Sequence, residues 1–146
     1  KTNKLKQLIP TSHPNIEKLK IGKINFTIFD LGGHNSVRRL WTDYFIDIDS
    51  IIFMIDAFDK ERISEASQEL NKLLCNKYLD TIPILIYGNK IDNPSAFSKE
   101  QMIYHLNISD EINQDRINLV MCSIVKKFGI SEGFQWIESK IKSKRI

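Results

Sequence analysis

The chain has 146 residues, 42% hydrophobic and 27% charged, with a formal net charge of +3 and a pI near 8.8. That length gives one domain with its own core, so residues 1–146 are expected to form a single domain. The charge excess is too mild to call for a nucleic-acid partner, no apolar run reaches membrane-spanning length, and the histidines lie too far apart for a metal-ligand motif.

Lys1–Leu8 is polar and basic and reads as the end of a helix, and Pro10-Thr11-Ser12-His13-Pro14 as a loop. Glu17–Ile21 alternates around Leu19 and Ile21, and Gly22-Lys23 reads as a two-residue hairpin turn. In the strand that follows, Ile24, Phe26 and Ile28 alternate with Asn25, Thr27 and Phe29, and the strand ends in Asp30-Leu31-Gly32-Gly33-His34. The period then changes: Val37, Leu40, Trp41, Tyr44 and Phe45 fall on one helical face. Ile51–Ile55 is a continuous apolar run ending at Asp56, the pattern of a parallel strand buried on both faces. Asp59 is placed to cap a helix carrying Ile63, Ala66, Leu70, Leu73 and Leu74. Pro83–Tyr87 reads as a strand closed by Gly88, and Ser98 with Gln101 as a capping box for a helix bearing Met102, Ile103 and Leu106. Ile117–Met121 reads as a strand running into Cys122-Ser123, and Ser131 starts a last helix with Phe134, Ile137 and Ile141 inward. Strands alternating with helices predict an α/β domain with a mostly parallel sheet. Cys75 and Cys122 belong to no pairing motif, as in a reducing compartment.

Chemistry collects at the strand ends, where open α/β sheets hold ligands. Asp30-x-x-Gly33 suits a site where the acid serves a hydrated Mg²⁺ and the glycine amide faces a terminal phosphate; alone it reads equally well as a turn. Asn89-Lys90-Ile91-Asp92 is sharper. The Asp92 carboxylate can accept from both N1–H and the exocyclic amine of guanine, a bidentate pair that adenine cannot supply. The Lys90 stem can cover the flat face of the base, and the Asn89 amide can tie neighbouring loops together. After the next strand, Cys122-Ser123-Ile124 leads into amides that can reach the guanine carbonyl oxygen; this too is a weak signal alone.

Together these residues resemble a family. Asp30–His34, Asn89–Asp92 and Cys122–Ile124 are similar to the third, fourth and fifth guanine-nucleotide motifs of small GTPases. Pro10–Pro14, the His after the double glycine, Arg38-Arg39-Leu40-Trp41, Cys122-Ser123 and Gly133-Phe134-Gln135-Trp136 resemble more narrowly the Sar branch of the Arf/Sar family, from about Lys1 to Lys140. The resemblance implies the three-layer small-GTPase fold and a Mg²⁺-dependent GTP hydrolase of COPII coat assembly, cytoplasmic and peripheral to the endoplasmic reticulum and Golgi membranes. By that resemblance Thr11 and Asp30 hold Mg²⁺, Gly33 donates its amide to the γ-phosphate, and His34 orients the attacking water. Asn89, Lys90, Asp92, Cys122, Ser123, Ile124 and Val125 form the guanine site for GTP or GDP. The implied partners are COPII inner coat proteins acting as GTPase activator, an exchange factor of the endoplasmic reticulum membrane, and that membrane itself through an N-terminal helix. Arg38 and Arg39 read either as coat contacts or as surface ion pairs.

Two departures shape the expectations. No G-x-x-x-x-G-K-[ST] phosphate loop occurs; the Gly22-Lys23 pair is followed by Ile24. Lys1–Pro14 matches the family segment just before switch I, so the chain is expected to be a fragment lacking the first strand, phosphate loop, first helix and membrane-inserting helix, with impaired nucleotide binding and little turnover of its own. The missing strand would lie between those ending at Asp30 and Asp56, leaving two edges that a second copy of the chain could cover. The second departure is a short Asn93–Val120 segment, which leaves an Arf-like membership open. Two other readings stand beside the GTPase: a nucleotide-free scaffold using Val37–Phe45, and a receiver-type phosphoacceptor with Asp56 and Lys90 at strand ends. The latter needs an acidic pair after an earlier strand, where only Asp30 stands. The C-terminal Lys140, Lys142, Lys144 and Arg145 read as a solvated helix end or an anionic-lipid contact.

Overall fold

The computed structural model describes residues 15–21, 24–30 and 48–144, and some side chains at the edges of these segments are left out of the description. They fall into two compact units, one within Lys1–Asp47 and one within Ile48–Ile146. In the first, β1 (Asn15–Ile21) pairs antiparallel with β2 (Ile24–Asp30), with Ile21 opposite Ile24 and Asn15 opposite Asp30. Two residues separate the paired ends, the register a two-residue hairpin needs. Lys18 opposes Thr27 and Lys20 opposes Asn25, and all four are exposed, so one face of the hairpin is polar. β1 begins two residues before the predicted Glu17. The segments predicted at Lys1–Leu8, Pro10–Pro14, Gly22-Lys23 and Val37–Phe45 lie outside the described residues.

The second unit is built on a three-stranded parallel sheet in the order β3 (Ile51–Asp56), β4 (Ile84–Asn89), β5 (Ile117–Met121). Its helices are α1 (Ile63–Cys75), α2 (Lys99–Leu106), α3 (Ser109–Asn113) and α4 (Ile130–Lys144). The core is β4: Ile84, Leu85, Ile86 and Tyr87 are all buried between its neighbours and the helix layers. α1 contributes Ile63, Leu70 and Leu73, α2 contributes Met102 and Leu106, and α4 contributes Ile137 and Ile141. Each such side chain taken from water contributes about 1.5–3 kcal/mol.

Four expectations are corrected. Among the described strands β3 is an outer one, and its two faces differ: Ile55 is buried, whereas Ile52 is 37% and Met54 49% exposed. Asp59 precedes a 3₁₀ turn, Lys60–Arg62, and its side chain makes no cap hydrogen bond; α1 starts behind Arg62, whose Nε pairs with Glu65 at 3.1 Å. Gly88 does not close β4. It lies in the ladder opposite Ile55 and Met121, where a Cβ would sit 2.7 Å from the Met121 sulfur. A side chain there would have to displace the flexible end of Met121. α4 starts at Ile130 rather than Ser131, just after Gly129 at φ 85°; a side chain at Gly129 would also meet the Met121 carbonyl oxygen at 2.5 Å.

Other expectations hold. Ser98 Oγ accepts from the Gln101 amide at 3.2 Å and Gln101 Oε1 accepts from the Ser98 amide at 2.8 Å, the reciprocal capping box. α4 packs on β4 through Gly133, where a Cβ would come within 2.3 Å of the Tyr87 hydroxyl. That hydroxyl donates to the Ile130 carbonyl at 2.5 Å. α3 carries no sequence signal, since five residues are too few to show a period.

Candidate functional site

β4 and β5 run parallel with Gly88 opposite Met121, so the two segments that follow leave the sheet side by side at its carboxyl edge. Backbone bonds hold them there: Cys122 N–H donates to the Gly88 carbonyl at 2.8 Å and Ile91 N–H to the Cys122 carbonyl at 3.2 Å. Asn89 is the tether between them. Its Oδ1 accepts from the Ile124 amide at 3.1 Å, and the Cys122 thiol lies 3.8 Å from the same oxygen. Burial pushes that thiol up to about 11, so it is a neutral donor at physiological pH.

Ser123 is fully buried and joins the loops a second time. Its hydroxyl donates to Asp92 Oδ1 at 2.8 Å and accepts from the Lys126 amide at 3.1 Å. Ser123 and Phe128 exchange two backbone bonds of 3.1 Å, which closes the loop that carries Val125. Since Ile124 N–H is given to Asn89 and Lys126 N–H to Ser123, the Val125 N–H is the amide in this turn without a partner among the described residues. Asp92 is exposed: it stands at the rim with one oxygen fixed by Ser123.

Lys90 takes a left-handed conformation, φ 73°, which costs a residue with a side chain on the order of 1–2 kcal/mol. The turn directs its side chain to Asp56 at the end of the neighbouring strand, with Nζ 2.7 Å from Oδ2. The hydrogen bond and charge of Asp56 raise the Lys90 ammonium above its ordinary value. The other Asp56 oxygen accepts from the Phe58 amide at 2.9 Å. Sequence reasoning set Asp56 beside Lys90 only in the phosphoacceptor alternative. The signal was an acid and a lysine at the ends of adjacent parallel strands, and it is their register, Asp56 opposite Asn89, that makes the contact.

Thus Asn89, Lys90, Asp92, Cys122, Ser123, Ile124 and Val125 converge on one edge. Such an edge can receive a flat heterocycle that offers two adjacent N–H donors to a carboxylate. Asp30 is described as the last residue of β2; its side chain, like Thr11, Gly33 and His34, lies outside what is described. Among the described residues no group of three or more His, Cys, Asp or Glu is arranged to hold a metal ion, and no helix is long and apolar enough to cross a membrane.

The model of the ADP-ribosylation factor family matches residues 1–141. The chain is 36% identical to the small COPII coat GTPase SAR1 of Nicotiana tabacum, over 97% of this chain and 80% of that protein. It is equally, 36%, identical to ADP-ribosylation factor-like protein 3 of Caenorhabditis elegans, over 97% of this chain and 82% of that one. In fold it is similar to the Arl6 BBS3 small GTPase of Trypanosoma brucei, solved with the nucleotide analogue GppNp, with a TM-score of 0.85 and 24% identity over 96% of this chain and 86% of that one.

Proposed function

Because this chain belongs to the ADP-ribosylation factor family of small GTPases, we propose that its strand-end edge binds the guanine base of GTP and GDP, in a Sar-type switch of COPII coat assembly. The observation that carries this is Asp92, exposed at the rim with one oxygen fixed by Ser123 and the loops behind it locked by Asn89. In this reading the second oxygen and the open side of the first would accept from N1–H and the exocyclic amine of guanine. The Lys90 stem would cover one face of the base, and the Val125 amide, without a partner among the described residues, would serve its carbonyl oxygen. Adenine presents neither donor pair nor carbonyl, so binding it would leave Asp92 and Val125 unpaired.

For hydrolysis, Thr11 and Asp30 are the residues that would hold Mg²⁺, which supplies charge neutralisation between the phosphates. Gly33 would donate its amide to the γ-phosphate and His34 would orient the attacking water. The Sar-type relatives favour COPII inner coat proteins as activating partner, an exchange factor of the endoplasmic reticulum membrane, and a peripheral cytoplasmic location there. The factor-like relatives are the competing assignment.

Calorimetric titration of the purified chain with GDP, ADP and xanthosine diphosphate tests the base assignment. ADP should bind at least about 100-fold more weakly than GDP. Asp92→Asn should reverse the preference towards xanthosine diphosphate, because an amide N–H can donate to the carbonyl that replaces the amine. Equal affinity for GDP and ADP would overturn the assignment. Binding of no guanine nucleotide would overturn the assignment for this chain and leave it a remnant without its phosphate loop or a scaffold.

A further inference from the structure

The Asp56–Lys90 ion pair is half in water, with the Lys90 side chain 53% and the Asp56 side chain 34% exposed, so it contributes little to folding. Its geometry is nonetheless tightly set. The parallel register places Asp56 opposite Asn89, the Phe58 amide holds one carboxylate oxygen, and the left-handed Lys90 backbone aims the stem at the other. Lys90 also lies within electrostatic reach of Asp92 and Asp59. An ammonium on a flexible four-carbon stem settles on the best-placed carboxylate. Were it to settle on Asp92, it would neutralise and cover the group that reads the base. Resting on the guanine assignment above, we propose that Asp56 is a positioning residue that holds the Lys90 ammonium at the end of β3, which keeps Asp92 open and the Lys90 stem laid along the edge where the base stacks.

The proposal separates from a structural role by a double-mutant cycle read in nucleotide affinity. Asp56→Asn keeps the shape and the Phe58 bond but releases the ammonium. Lys90→Met keeps an unbranched stem and removes the charge that needs holding. GDP and inosine diphosphate titrations on the full chain should show Asp56→Asn weakening GDP by about tenfold in the wild-type background and less than twofold in the Lys90→Met background. The preference for GDP over inosine diphosphate, which reports Asp92 reading the exocyclic amine, should shrink in Asp56→Asn and return in the double variant. Tm should stay within a degree or two in all three, as expected for an exposed pair. Equal losses in the two backgrounds, or an unchanged GDP affinity in Asp56→Asn, would overturn the proposal while leaving the base assignment intact. Failure of the wild-type chain to bind GDP would overturn both.

Discussion

Cys122 and Ser123 are adjacent and both fully buried, yet they act in opposite ways. Ser123 is satisfied three times over by Asp92, Lys126 and Phe128. Cys122 has a weak partner, the Asn89 carbonyl oxygen, and its burial raises the thiol from 9.0 to about 11. The folded state therefore holds the proton where the unfolded chain has lost it. The resulting stability is complete below pH 9 and lost as pH rises towards 11. In urea unfolding, the wild type should lose up to about 1.4 kcal/mol per pH unit across that window beyond what Cys122→Ala loses. Equal slopes would mean that the thiol is solvated in the fold. Exposed Cys75 should meanwhile be the thiol a maleimide labels in the native chain. At this scale the sequence was most legible in Asn89–Asp92, because the spacing is short and directly follows an apolar run. It was least legible in Asp56–Lys90: 33 residues of chain separate Asp56 from Asn89, and only strand pairing sets them side by side.

Among the elements, α4 and β4 show how one missing side chain can fix a packing distance. Gly133 brings the α4 backbone onto the Tyr87 ring, with Cζ and Cε1 2.6 and 2.7 Å from where a Cβ would stand. Gly133→Ala should cost about 1–3 kcal/mol in urea unfolding, since neither the ring nor the helix can move without disturbing the 2.5 Å Tyr87–Ile130 bond. Tyr87→Phe should relieve part of that cost by removing the nearest atom, and strict additivity of the two changes would show that they do not meet. Element types were readable because apolar periods of two and of 3.6 differ clearly, and the Ser98–Gln101 box was readable because both halves lie within one turn. Boundaries were less so. A 3₁₀ turn separates Asp59 from α1, and no propensity announces it; Gly88 looks like a strand terminator but lies within the ladder.

For the molecule as a whole, the second unit is organised around one strand bonded on both sides. Hydrogen exchange should find the amides of Leu85, Ile86 and Tyr87 the slowest in the chain, and slower than those of β3, whose Ile52 and Met54 face water. Slower exchange in β3 would mean that a further layer covers it in solution. The α/β class followed from alternation alone. The expectation that β3 is buried on both faces failed because a continuous apolar run reports the chemistry of a strand, not what covers each of its faces.

The Ser123 hydroxyl has a single hydrogen, and it points at Asp92 while the lone pairs receive the Lys126 amide. That direction follows from burial: the Lys126 amide can only donate, and Asp92 is the acceptor that keeps the buried hydroxyl hydrogen paired. Whatever replaces the Asp92 carboxylate must therefore turn an acceptor inward. For the side-chain amide created by Asp92→Asn, this rule decides between two otherwise equivalent flips: oxygen to Ser123, nitrogen to the ligand. The loop thus behaves as a template with fixed inner polarity and an exchangeable outer letter. On the proposed guanine assignment, the base would be rewritten at one position without redrawing the hydrogen bonds that hold the loop.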